Sequence, residues 1–364
     1  MRYLISIPLL LLLGGCADMG YYWHSARGHL EVMDKRVAIE DLLAEQSTTP
    51  ELRERLNLVR EIREFSVTRL ELPDNDSYLS YVELDRPYLV QNLFAAPEFS
   101  TRLRQWCYPI IGCASYRGYY DETRLLAYVE ELETAGLEVH VGRVSAYSTL
   151  GWFDDPVLSS FINWPDYRLA GLLFHELTHQ QIYIEDDTTF NESLASAVQQ
   201  VGTELWLQSR EQTEALQQLL RWSRYRDEVI ELIESTRARL GEIYAAAVDD
   251  TDKRKLKEET FAEARRSHQA IAAKHGITGG FTAWFADKLN NAKIGSVSAY
   301  NSHRPAFVNM IRAHGLDFGA FYEYAETVGK LVKAERDACL AAWSRQQTAD
   351  SECPAIKPGL ATAS

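Results

Sequence analysis

The chain has 364 residues, 46% hydrophobic and 25% charged, with a formal net charge of −14. That length and apolar content suffice to bury a core in one or two subdomains. The acidic balance argues against nucleic acid as a partner and against an electrostatic hold on anionic lipid.

Arg2 precedes an apolar run from Tyr3 to Leu13, which ends in Gly14-Gly15-Cys16. One positive charge, a short apolar core and small residues predict a secretory signal over 1–15. The run is too short to span a bilayer. The junction Leu13-Gly14-Gly15-Cys16 also resembles a bacterial lipobox, in which the Cys is acylated and becomes the mature N-terminus. An ordinary signal with an incidental Cys is the other reading. By the same resemblance, Ala17 in place of Asp implies the outer membrane, with the chain facing the periplasm. Several acyl chains on Cys16 would anchor it stably. Removing 1–15 takes away one Arg and no acid, leaving 37 basic against 52 acidic residues, a net −15. The other four Cys fall in two close pairs, Cys107 with Cys113 and Cys339 with Cys353. In an exported chain both pairs are candidates for local disulfides, with other connectivities open.

Residues 16–65 read as helices. Leu30, Met33, Val37, Ile39, Leu42 and Leu43 recur at three- and four-residue steps, and Thr49-Pro50 reads as an N-cap with Pro in the first turn of a helix to Phe65. The composition then shifts. Residues 80–84, 88–94 and 138–144 alternate or are rich in Val and Tyr, which predicts strands around a helix over 121–135. A small mixed sheet over 66–152 is expected.

Gly171 to Tyr183 carries His175-Glu176-Leu177-Thr178-His179. Residues four apart lie on one face of a helix. The H-E-x-x-H pattern therefore offers two imidazoles to a zinc ion and Glu176 as the general base for its water. Catalytic zinc takes a third protein ligand and keeps one position open. A helix ending near Tyr183, a turn through Glu185 to Thr189 and a new helix from Phe190 would return Glu192 to the metal. Glu185, Asp186 and Asp187 are nearby competitors. Asp187 or Glu185 could instead bond the ligand imidazoles. Asn191 could position a substrate or a backbone turn. Two His from one helix and a Glu from the next is the gluzincin arrangement of zinc peptidases.

Phe174 to Gln180 and Asp187 to Ser193 together resemble the bacterial predicted-aminopeptidase family. Glu83 to Val90, Ala95 to Phe99, Gly112 to Tyr120 and Ala146 to Pro156 match the same family. The resemblance implies a zinc peptidase acting on peptide substrates. The likeness to gluzincins implies a Tyr or His on a later helix that helps bind the oxyanion, and Tyr300 and His303 are the candidates. It also implies an edge strand that pairs with extended substrate, for which Arg143 to Leu150 is the candidate. The Gly-x-Met-Glu-Asn stretch that holds the substrate amine in gluzincin aminopeptidases is absent from the chain. Asp154-Asp155 is the alternative acid pair for that amine.

After Glu192 the pattern is almost wholly helical. A helical hairpin is expected over 211–275, C-terminal helices over 276–347 and a disordered tail over 348–364. The catalytic core is placed at 66–210. The expected fold is α+β and predominantly helical. A non-catalytic, zinc-containing envelope lipoprotein that docks partners through the hairpin is the rival function.

Overall fold

The computed structural model describes residues 15–108, 112–146, 149, 153–298, 303–346 and 353–354. The signal reading at 1–14, the side chain of Cys16, Tyr300 and nearly all of the tail lie outside the described residues.

The chain opens with α1 (Gly15–Asp34), β1 (Val37–Ala38), α2 (Ile39–Ala44) and α3 (Pro50–Leu70). Thr49 caps α3: its hydroxyl accepts from Leu52 N, and Pro50 sits in the first turn, where no intrahelical N–H is needed. The helix continues past Phe65 because Leu56, Val59, Ile62, Ser66 and Leu70 keep one face buried at helical spacing.

The next segment contains β2 (Ser80–Val82), β3 (Val90–Pro97), β4 (Trp106–Tyr108), β5 (Gly112–Ala114) and β6 (Arg117–Tyr119). It closes with α4 (Glu122–Thr134), β7 (Leu137–Val144) and β8 (Val157–Leu158). These strands form three small sheets rather than one. In the first, β2 runs antiparallel to β1 and parallel to β8. In the second, β3 lies between β6 and β7, antiparallel to both. The third is the β4–β5 hairpin, closed by a Cys107–Cys113 disulfide. Strands of two or three residues carry no period for a sequence pattern to reveal. Among the described residues of the stretch from Arg143 to Leu150, only Arg143 and Val144 are strand, at the end of edge strand β7. Tyr147, Ser148 and Leu150 lie outside the described residues.

Two long helices follow, α5 (Asp166–Gln181) and α6 (Thr188–Ser209). They pack closely because Gly171 has no side chain: a Cβ there would stand 2.9 Å from Thr203 Oγ1. α7 (Thr213–Ala245) and α8 (Asp250–His275) form the antiparallel hairpin, as the ion pairs Glu228–Lys274 and Arg239–Glu263 show. The hairpin has its own core of Tyr225, Val229, Ile233, Leu240 and Phe261. Phe285 of α9 (Phe281–Ala286) and Ile294 of α10 (Asn291–Ser298) complete it. It is also tied to the second sheet. Arg254 bonds Glu98 at 2.7 Å, and Lys257 donates to Glu98 O at 2.8 Å and pairs with Glu138 on β7.

The chain closes with α11 (Arg304–Ala313), α12 (Phe318–Gly329) and α13 (Lys333–Ser344), with Cys339 of α13 disulfide-bonded to Cys353. α3, α5, α6 and these last helices share the main core, which includes Leu56, Phe174, Phe190, Phe307 and Phe321. The architecture is therefore α+β and mainly helical. No helix among the described residues is long and apolar enough to cross a membrane.

Candidate metal centre

Helix α5 carries His175 and His179 one turn apart, and α6 returns antiparallel to it with Glu192 in its second turn. The three side chains converge. His175 Nε2 lies 3.3 Å from His179 Nε2 and 3.3 Å from a Glu192 carboxylate oxygen. The other Glu192 oxygen is 3.8 Å from His179 Nε2. A tetrahedral ion with ligands at about 2.0–2.1 Å would hold them about 3.3 Å apart. The donor set and its spacing fit a divalent metal, and these ligand atoms all lie within 4.8 Å of one another.

The turn that brings Glu192 back is fixed from three sides. Asn191 clamps it by accepting from Ile184 N and donating to Ile184 O, both at 2.8 Å. Its function is thus the backbone turn. Asp187 caps α6 by accepting from Phe190 N at 3.0 Å, and its other oxygen takes two bonds from Arg336 of α13 at 2.6 and 3.0 Å. Asp186, with φ +59°, accepts from Cys113 N at 3.1 Å and so docks the β4–β5 hairpin onto the turn. Only glycine fits at 112, where φ is +73° and a Cβ would meet Asp186 Oδ1 at 2.1 Å.

Asp187 is therefore committed to Arg336 and the helix start. His175 Nδ1 has no hydrogen-bond partner among the described residues. The pair Asp154-Asp155 is divided: Asp154 faces solvent, while Asp155 is buried and accepts from Thr149 N and Gln180 Nε2. His303 precedes α11, donates its backbone N–H to Ser193 Oγ and lies 4.0 Å from Asp337. Burial lowers its pKa, and the charges acting on it are those of Asp337, Asp187, Lys333 and Glu234.

Glu176 is buried beside the ligands. Desolvation pushes its carboxyl up to about 7; Glu192 and Asp155 add to the rise, and His175 opposes it. Burial drives His179 down to about 4, so it is neutral at physiological pH, as a ligand must be. Burial would lower His175 too, but its bond to Glu192 and the Glu176 charge raise it.

Two tyrosines near the site carry no pattern in the sequence. Tyr116, between β5 and β6, is raised by burial first and then by the charge of Glu192, with Glu176 also contributing. Tyr78 is raised well above its ordinary value by burial, then by Glu176 and Asp155. Tyr116 lies inside the Gly112–Tyr120 stretch singled out by resemblance, which was the available signal. Tyr78 had none.

Fold and site define a mainly helical α+β protein with a His–His–Glu centre able to hold a metal. Residues 20–340 match the family described as putative aminopeptidase, and the chain belongs to that family. Neither the curated proteins nor the solved structures contain a match. Family membership supports a peptidase-like function.

Proposed function

We propose that the protein is a zinc-dependent peptidase of the gluzincin type, with His175, His179 and Glu192 as ligands and Glu176 as general base. One observation carries this reading. Three donors converge at metal-binding distances, and a fourth group, the buried Glu176 carboxylate, stands beside them that the ligand set does not need. A structural site would have no use for it. Zinc, when bound, would polarise the scissile carbonyl and acidify a water. Glu176, buried beside the three donors, would take a proton from that water and return it to the leaving amine. Tyr116 and Tyr183 are both acted on by the Glu192 carboxylate, and in this reading one of these phenols donates to the developing oxyanion. The family description adds an N-terminal preference.

The test is a peptide library incubated with zinc-loaded protein and read by mass spectrometry. Cleavage, with products trimmed from the N-terminus, supports the reading. An intact library at full zinc occupancy sinks it and favours a scaffold that keeps its metal.

The sequence at Leu13 to Cys16 further supports an envelope location with an acylated Cys16. Cys16→Ser should release the protein from membranes or leave its signal uncleaved. A processed mutant that stays on membranes without an acyl chain would contradict this.

A further inference from the structure

Glu176 and Gln180 lie four apart on α5, one turn apart on the same face. The turn from Asn75 to Tyr78, between α3 and β2, is docked onto that face. Gln180 Oε1 accepts from Asn75 Nδ2 at 2.7 Å, and Gln180 Nε2 donates to Ser77 Oγ at 3.2 Å and to Asp155 Oδ2 at 3.3 Å. Asp155 also accepts the Tyr78 N–H on its backbone oxygen at 2.6 Å. From the other side, Arg63 donates to Ser77 O at 3.0 Å and to Asn75 O at 2.7 Å. The turn is therefore pinned to α3, to α5 and to the segment before β8.

Within this frame Tyr78 has φ +64°, a left-handed conformation that a bulky side chain rarely adopts. The residue is 1% exposed, and its hydroxyl has no hydrogen-bond partner among the described residues. A strained backbone and an unused buried donor both oppose folding. The negative charges acting on that hydroxyl are Glu176 and Asp155. The Asp155 carboxylate already accepts from Thr149 N and Gln180 Nε2.

We propose that Tyr78 is a positioning residue for the general base: its buried hydroxyl donates to the Glu176 carboxylate in the working site and fixes the direction in which that carboxylate faces the water. The inference rests on Glu176 being the base, as argued above. Catalytic hydrogen bonds are often long in a resting site and tighten only in the reacting complex. The strain at Tyr78 is the cost of aiming a donor from a turn that three elements hold in place.

The test is Tyr78→Phe in the full chain, which keeps the ring and removes one oxygen. Zinc content should be unchanged, and the Tm should equal or exceed that of wild type, because a donor without a partner is lost. kcat should fall about tenfold with KM unchanged, the pattern of an interaction made only in the transition state. A lowered Tm, or an unchanged kcat, would overturn the proposal. Failure of the peptidase reading is distinguishable, since wild type would then cleave nothing. That result would overturn the positioning role together with the peptidase reading, whereas a cleaving wild type with unchanged kcat in Tyr78→Phe overturns the positioning role alone.

Discussion

Asp187→Asn should destabilise the protein by about 3–5 kcal/mol, the usual cost of removing one partner of a buried ion pair. Asp187 is 4% exposed and Arg336 7%, and they share two hydrogen bonds between the start of α6 and α13. Asn retains a side-chain oxygen for the Phe190 N–H cap but leaves the guanidinium buried without its counter-charge. Arg336 would keep its bonds to Gly329 O and Leu331 O, which satisfy N–H groups and not the charge. The double variant Asp187→Asn/Arg336→Met should recover much of the loss, because an apolar side chain has no charge to desolvate. Chemical denaturation of the four proteins in this cycle measures it. A loss in the double variant equal to the sum of the two single losses would show that the pair contributes nothing as a pair. The sign with pH follows from the direction of the Asp187 shift. Burial would raise its pKa, but the Phe190 N–H and Arg336 outweigh it and hold the group below 3.8. A depressed folded-state pKa stabilises fully above the ordinary carboxylate range, and that contribution is lost as pH falls through the folded value.

Glu176→Gln should lower turnover by roughly 10²-fold or more, the scale of a lost general base. The substitution keeps the shape of the side chain, so packing against α6 should persist. Metal content should persist as well, because the convergent donors are His175, His179 and Glu192. Glutamine cannot accept the proton at neutral pH, and neither Asp155 nor Asp187 is free to replace it. Asp155 is bonded to Gln180 and Thr149, and Asp187 to Arg336. Near-normal turnover with retained metal would remove Glu176 from the reaction.

How much of this could be read in the sequence depended on how local the cause was. The α5 imidazoles are set by a four-residue spacing, and the cap at Thr49 by two adjacent residues. Glu192 required only the guess that a short turn returns the chain, and Asn191 and Asp187 supply the bonds that make it turn. The small sheets were less legible. β3 and β7 are eight-residue strands with readable composition, whereas β1, β4, β5, β6 and β8 are two or three residues long and depend on their neighbours. The long-range polar contacts were invisible. Arg336 meets Asp187 across 149 residues, and Gln180 meets Asn75 across 105. Tyr78 is conspicuous only once its backbone angle and buried hydroxyl are known. His303, read as a possible oxyanion donor, stands beside Asp337 at the start of α11.

The most direct measurement of the central claim is the metal content of the purified protein and of His175→Ala, taken by inductively coupled plasma mass spectrometry after dialysis against trace zinc. About one zinc per chain is expected in wild type, a site of two imidazoles and one carboxylate being suited to that ion. Loss of stoichiometric zinc is expected in the variant, since one of three converging donors is gone. A wild type that takes up no zinc, or a His175→Ala protein that keeps all of it, would contradict the account.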